Sequence, residues 1–201
     1  MLAQVTALDN VEPVTSTQPR ELRITAVRHG ETTWNNERLI QGHTNSSLNA
    51  EGRDQAFNLA ESLRGIGFDS LVTSDLDRAK ETAAIIGEVL GLVPSSNPLL
   101  RERCFGELEG LSADVLTSEL TGIEDGVYVN PDARPPGGES FRDVVKRAEE
   151  FLDQAEKQWP SGQILVVTHG GMVQALSAAV SGQPLEETRW FRVGNCSVWT
   201  F

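Results

Sequence analysis

The chain has 201 residues and a net charge of −12, from 29 acidic against 17 basic side chains. That length supports a domain with a real core. The charge argues against general nucleic-acid binding, which needs a basic face, and against an anionic membrane surface as partner. An acidic protein can still bind an anion, but only by concentrating its few cations in one pocket.

Residues 1–20 have neither the basic start nor the apolar stretch of a signal peptide. Their Thr, Ser, Pro, Asn and Gln content predicts a flexible tail ahead of one domain over 21–201. No run of about 18 apolar residues occurs, so no membrane span is expected. The two cysteines, Cys104 and Cys196, lie far apart with no C-x-x-C. They read as reduced thiols, and a cytoplasmic location is the expectation.

The first predicted strand is Leu22 to Val27, running into Arg28-His29-Gly30. A loop rich in Asn, Gly, Thr and Ser follows from Asn35 to Asn49, and Asn49 reads as a helix N-cap. The helix behind it aligns Ala56, Leu59, Ala60 and Leu63 on one face, and Gly65 and Gly67 stop it. Ser70 to Thr73 reads as a strand. Ser74 with Asp77 has the form of a capping box, opening a helix that buries Ala79, Ala83, Ile86 and Leu90 and ends at Gly91.

Residues 92–100 predict a short strand and turn, and 118–138, with its prolines and glycines, predicts a loop. Ser140 with Asp143 is a second capping box, for a helix facing Phe141, Val144, Val145, Ala148, Leu152 and Ala155 inward. Pro160 and Gly162 break it. Ile164 to Val167 is a continuous apolar run, as in a strand buried on both faces. Thr168-His169-Gly170-Gly171 then leads into a helix through Met172, Val173, Leu176 and Val180. Residues 189–193 and 196–201 are expected to pair as closing strands around Gly194-Asn195. Trp159, Trp190 and Trp199 read as packing residues.

Strands alternating with helices imply an α/β layered fold with a mostly parallel sheet. Ligands of such sheets sit beyond the carboxyl ends of the strands. Three predicted strands end there in Arg28-His29, in Ser74 to Arg78, and in His169. Gly30 is expected to let the backbone turn sharply beside a ligand, and Arg28 offers a fork of donors suited to phosphate. A neutral imidazole can attack phosphorus and form a covalent intermediate. Arg78, in the first turn of its helix, would add the dipole's preference for an anion. Taken alone, Arg78 also fits a surface arginine paired with Asp75 or Glu81. Glu102 fits a partner of Arg101 or Arg103, His169 a buried structural histidine, and His43 a surface residue.

Four motifs in order carry a family resemblance. Arg28-His29-Gly30-Glu31-Thr32 with Trp34 and Asn35, Ser74 to Ala83, Leu100-Arg101-Glu102-Arg103 with Phe105 to Gly110, and Val167 to Gly171 together resemble the histidine phosphatase (phosphoglycerate mutase-like) superfamily, phosphatase branch. The resemblance spans about residues 23–200. It implies a three-layer α/β sandwich with helices flanking a mostly parallel central sheet. It also implies a nucleophile at His29, a phosphate clamp at Arg78, a proton donor and acceptor at Glu102, and a phosphoryl contact at His169.

Arg28 would complete that catalytic set, with Asn35, Gln41, Gly42, Thr44 and Gly170 on the substrate side and Glu107 and Glu109 as weaker acid candidates. The Gln41 to Leu48 loop departs from the family at Asn45 and Ser47, where Asp and Pro are common, and Leu108 stands for a frequent tryptophan.

The implied activity is hydrolysis of small phosphomonoesters, sugar phosphates among them, without a cofactor. With three histidines and no zinc-like spacing, no metal is expected. A cofactor-dependent phosphoglycerate mutase and a non-catalytic phosphate-binding module are the alternatives. The partner is a small phosphorylated molecule, with no nucleic acid or membrane, and a homodimer is left open. The polar 118–138 segment is a candidate flap.

Overall fold

The structure, a computed structural model, describes residues 21–201. The expected tail over 1–20 lies outside the described residues. In chain order the elements are β1 (Leu22–Arg28), α1 (Thr33–Asn36), α2 (Ala50–Ser62), β2 (Ser70–Thr73), α3 (Asp77–Leu90), β3 (Pro94–Ser96), α4 (Ser118–Thr121), β4 (Ile123–Glu124), β5 (Val127–Tyr128), α5 (Phe141–Gln158), β6 (Gly162–Thr168), α6 (Gly170–Ser181) and β7 (Val198–Thr200).

Five strands form one sheet in the order β3-β2-β6-β1-β7, parallel except for β7, which runs antiparallel on β1. β1 and β6 are in register from Leu22 opposite Gly162 to Arg28 opposite Thr168. β2 places Thr73 opposite Val167. The carboxyl ends of three strands are therefore level, and the residues that follow them leave from one edge.

The alternation of side chains divides the core in two. Ile24, Ala26, Val72, Ile164 and Val166 face α5 and α6, whose Phe141, Val144, Phe151, Met172 and Leu176 are buried against them. Val27, Leu71, Leu165 and Val167 face α2 and α3, meeting Ala60, Leu63, Ala79, Ala83 and Ile86. This is the three-layer sandwich, with the sheet covered on both faces as parallel sheets require. The apolar run Ile164–Val167 is buried on both sides.

Asn49 caps α2 by accepting from Gly52 N–H, and Ser140 and Asp143 close a full capping box on α5. Several expectations are corrected. Ser74 and Asp77 form no capping box: α3 is capped at Leu76 without a side-chain bond, the Asp77 N–H goes to Asn45 Oδ1, and the Ser74 hydroxyl takes Leu76 N–H and meets His169 Nε2. Residues 189–193 are not a strand, and β7 pairs with β1 instead. The 118–138 loop contains α4 and the β4–β5 hairpin. A capping box of Thr32 and Asn35 folds the start of the predicted loop into α1. Leu90 and Leu152 are only half-buried, and Val180 and Trp190 are exposed. Among the described residues, no helix is long and apolar enough to cross a membrane.

Candidate active site

His29 follows β1 directly, and its backbone N–H continues the ladder to Thr168 O at 2.9 Å. The residue is 2 % exposed. Nδ1 lies 2.7 Å from Gly30 O, a carbonyl that can only accept, so Nδ1 carries the proton and Nε2 the lone pair. Arg78 Nε–H points at that Nε2 across 3.3 Å. Burial pushes the His29 pKa well below its ordinary value, and Arg28 and Arg78 push in the same direction. The imidazole is thereby kept neutral, as a nucleophile must be.

Arg78 sits in the first turn of α3 and is fully buried. It is not the surface arginine of the alternative reading: Asp75 pairs with Arg101, and Glu81 with Arg53. Its outer nitrogens donate to Gly42 O at 2.7 Å and Thr44 O at 3.0 Å. Desolvation lowers its pKa to about 10, against the attraction of Glu102.

His169 is the N-cap residue of α6, fully buried, with its ring centroid 5.2 Å from that of His29. Its Nε2 is 2.9 Å from the Ser74 hydroxyl. That hydroxyl accepts from Leu76 N–H, and giving its own proton to Nε2 is the arrangement that satisfies both groups; it leaves the ring proton on Nδ1. Burial, then Arg78, depresses this pKa well below the ordinary value too.

Two buried donors here, Arg28 Nε and His169 Nδ1, have no hydrogen-bond partner. Arg28 spends Nη1 on Val193 O at 2.6 Å, and burial lowers its pKa. A buried, unpaired polar group costs roughly 1–3 kcal/mol, and one anionic oxygen pair between these donors would satisfy both.

Glu102 completes the group. Its carboxylate accepts from Arg103 N–H at 2.8 Å and from Gly171 N–H, in the first turn of α6, at 3.2 Å. It makes no ion pair with Arg101 or Arg103. The loop carrying it is held by its carbonyls. Thr168 Oγ1 donates to Leu100 O, Arg147 donates to Leu99 O, Arg101 O and Glu102 O, and His43 Nε2 lies 2.8 Å from Glu102 O. His43 is thus half-buried beside the acid loop, not the surface residue expected.

The remaining expected residues divide. Asn35 lies against the nucleophile turn: its Oδ1 takes bonds from Thr32 and from Asn195 Nδ2, which leaves Nδ2 as its donor. Gly170 opens α6, and a Cβ there would stand 3.8 Å from Arg28 Nε. Gly42 and Thr44 turn their carbonyls to Arg78, and the Gln41 side chain accepts from Ser46. Glu109 holds backbone N–H groups of the 42–44 turn instead of facing the histidines.

Arg147 and Asn195 escaped the sequence reading, and Ser74 was read as a helix cap and motif residue without its bond to His169. Asn195 donates to His29 O at 3.0 Å as well as to Asn35. Its only signal was the Gly194-Asn195 turn, which points to chain reversal and not to a site.

Two desolvated arginines, two neutral histidines and a pair of unpartnered donors make a site whose chemistry fits a small, multiply charged oxyanion. Residues 24–201 match the histidine phosphatase superfamily (branch 1), and the chain belongs to that family. It is 37 % identical, over 88 % of its length and 83 % of the relative's, to a probable phosphoglycerate mutase GpmB of Cronobacter sakazakii. Among solved structures it resembles a mycobacterial glucosyl-3-phosphoglycerate phosphatase in complex with VO3, at TM-score 0.80 and 32 % identity, covering 89 % of this chain and 91 % of that one. It also resembles a mutant phosphoserine phosphatase of Entamoeba histolytica in complex with phosphoserine, at TM-score 0.75 and 28 % identity over 90 % of each chain.

Proposed function

We propose that the chain is a phosphomonoester hydrolase that works through a phosphohistidine on His29. The observation that carries this is the pairing of a neutral His29, its Nε2 lone pair held by Arg78, with unpartnered donors on Arg28 and His169. On entry of a phosphoryl group, Arg78 Nε–H passes from Nε2 to a phosphoryl oxygen. Nε2 forms the N–P bond as the ester P–O bond breaks, and Glu102 gives its proton to the leaving oxygen. A water oxygen then attacks phosphorus, its proton goes to the Glu102 carboxylate, and the N–P bond breaks. Arg28, Arg78 and His169 stabilise the charge on the equatorial oxygens throughout, with Asn35 Nδ2 and the Gly170 amide as further donors.

A mutase is the second reading, suggested by the names of the curated relatives. Holding a substrate carboxylate for a second transfer calls for extra cations near the acid loop. Over residues 111–138 the only one is Arg134, and it is paired with Asp143 at 3.0 Å. That favours water as the acceptor, and a small phosphorylated metabolite as the substrate.

Phosphate release from a panel of phosphomonoesters, with and without chelator, tests the proposal against His29→Ala. The panel includes 3-phosphoglycerate, with formation of 2-phosphoglycerate followed in the same samples. Release by the wild type alone supports the hydrolase, and isomerisation without net release would replace it with the mutase. Release that survives in His29→Ala would end the phosphohistidine mechanism.

A further inference from the structure

Glu109 makes more hydrogen bonds than any acid needs. Oε1 accepts from His43 N–H at 2.9 Å, from Phe105 N–H at 3.0 Å and from Cys104 Sγ at 3.6 Å. Oε2 accepts from Thr44 N–H at 2.8 Å and from the Thr44 hydroxyl at 2.6 Å. Burial alone would raise its pKa, but the bonds from Thr44, His43 and Phe105 outweigh it and hold the carboxyl below its usual range.

The other side of the same turn faces Arg78. The peptide unit joining Gly42 and His43 gives its N–H to Glu109 and its carbonyl to Arg78 Nη2. Its dipole therefore lies between a carboxylate and a guanidinium, negative end toward the cation. Thr44 also links the two side chains, but through two successive peptide units: its N–H, in the 43–44 peptide, goes to Glu109, and its carbonyl, in the 44–45 peptide, goes to Arg78 Nη1. Arg78 has no carboxylate partner among the described residues and is fully buried, so these carbonyls are what aim it at His29. The contact leaves no room at Gly42: with φ +51°, a Cβ would stand 2.0 Å from Glu109 Oε1.

We infer that Glu109 is a positioning residue that orients the Arg78 guanidinium through the 42–44 turn, and is not a second proton donor. The inference rests on the phosphatase reading for its kinetics. Direct binding of inorganic phosphate does not depend on turnover and tests it separately.

The experiment compares wild type, Glu109→Gln, Glu109→Asp and Glu102→Gln on an alkyl phosphate and on p-nitrophenyl phosphate, whose leaving group needs no proton. Inorganic phosphate affinity is measured by calorimetry on the same samples, and thermal unfolding identifies any variant that does not fold. Glu109→Gln is expected to lower kcat/KM by on the order of 10- to 100-fold on both substrates alike, the scale of misplacing a reacting group by about 1 Å. It should weaken phosphate binding as well, with Glu109→Asp intermediate. Glu102→Gln should spare the aryl substrate relative to the alkyl one.

In an Arg78→Met background, Glu109→Gln should add no further loss of phosphate affinity, because the residue acts through Arg78. Phosphate affinity unchanged in folded Glu109→Gln, or a loss confined to the alkyl substrate, would overturn the inference. Wild type that binds phosphate but turns over neither substrate would refute the phosphatase reading alone, and the affinity series would still decide Glu109.

Discussion

Arg78 Nε–H and His29 Nε2 face each other across 3.3 Å, both side chains buried and both fed from the carboxyl edge of one sheet. Burial first, then Arg28 and Arg78, keeps that histidine neutral, and Arg78 Nε–H holds its lone pair in a fixed direction. The same guanidinium holds Gly42 O and Thr44 O with its other two nitrogens. Three acceptors, one for each guanidinium nitrogen, suit a rigid fork of donors, which a lysine cannot reproduce. Arg78→Lys is therefore expected to lower kcat/KM by about a hundredfold or more. Leaving the carbonyls short of donors should cost roughly 1–3 kcal/mol of stability. Steady-state kinetics and urea unfolding of the same preparation check both, and a fully active Arg78→Lys enzyme would contradict the role given to the fork.

The two depressed histidines make a statement about stability. His29 and His169 are neutral in the folded protein because burial and the arginines hold their pKa values well below 6.5. In the unfolded chain they titrate near about 6.5. As pH falls through that value, the unfolded chain takes up protons that the folded chain refuses, so stability falls. Above it the two states bind equally and these groups add no slope. The limiting slope is about 1.4 kcal/mol per pH unit for each histidine. The depressed carboxyls Asp75, Glu109 and Glu139 start from ordinary values of 3.8, 4.5 and 4.5, so they lose their contribution only at lower pH. Urea midpoints between about pH 7.5 and 5 isolate the histidines. His169→Gln should flatten the decline, and saturating phosphate, which favours the protonated ring, should flatten it as well.

The nucleophile turn is buttressed by the start of α2. A Cβ on Gly30 would stand 2.3 Å from Gly52 O, and one on Gly52 would stand 2.0 Å from Glu31 O. Both clashes are with backbone, which cannot rotate away. Gly52→Ala is therefore expected to destabilise by about 1–3 kcal/mol, as overpacking does. It should also lower kcat, because the displaced turn carries the Gly30 carbonyl that fixes the His29 tautomer. Thermal unfolding with kinetics below the transition separates the two effects. A Gly52→Ala protein as stable as wild type would mean that α2 can move, and that the contact does not define the turn.

The sheet and the chemistry on its edge were legible in the sequence, because both come from local patterns. The apolar run Ile164–Val167 ends in His169, and β1 ends in Arg28-His29, so strand direction alone brings the histidines together. What was hidden depended on contacts between distant segments. Ser74 looks like a helix cap from its neighbours, but its hydroxyl goes to His169, 95 residues away. Gly30 was expected to turn, yet it serves to admit the backbone of α2. Glu109 lies in a motif full of acids, and only the fold shows that it faces amide N–H groups and not the histidines. Asn195 and Arg147 satisfy backbone carbonyls, and a residue's use as a donor to a distant carbonyl leaves no pattern along the chain.

The 118–138 segment, read as a flap, is tied down by one buried arginine. Arg103 donates to Glu139 O at 2.8 Å, Ala133 O at 2.8 Å, Leu120 O at 3.2 Å and Thr121 O at 3.4 Å, while its guanidinium also lies over the Phe105 ring. Burial lowers its pKa, and no carboxylate pairs with it among the described residues, so these carbonyls carry its solvation. Lifting the segment would break the bonds to Leu120, Thr121 and Ala133 and leave the cation next to Glu102 short of acceptors. Opening is then a costly local event. Amide exchange over 118–138 should be slower than in an unstructured peptide, yet faster than in β1 and β6. Arg103→Met keeps the apolar stem, removes the donors, and should speed exchange in this segment by roughly 10- to 100-fold, from about 1–3 kcal/mol of lost anchoring. The central strands should be unaffected. Exchange as slow as in the core would refute a flap, and a segment whose exchange ignores Arg103→Met would show that the anchor lies elsewhere.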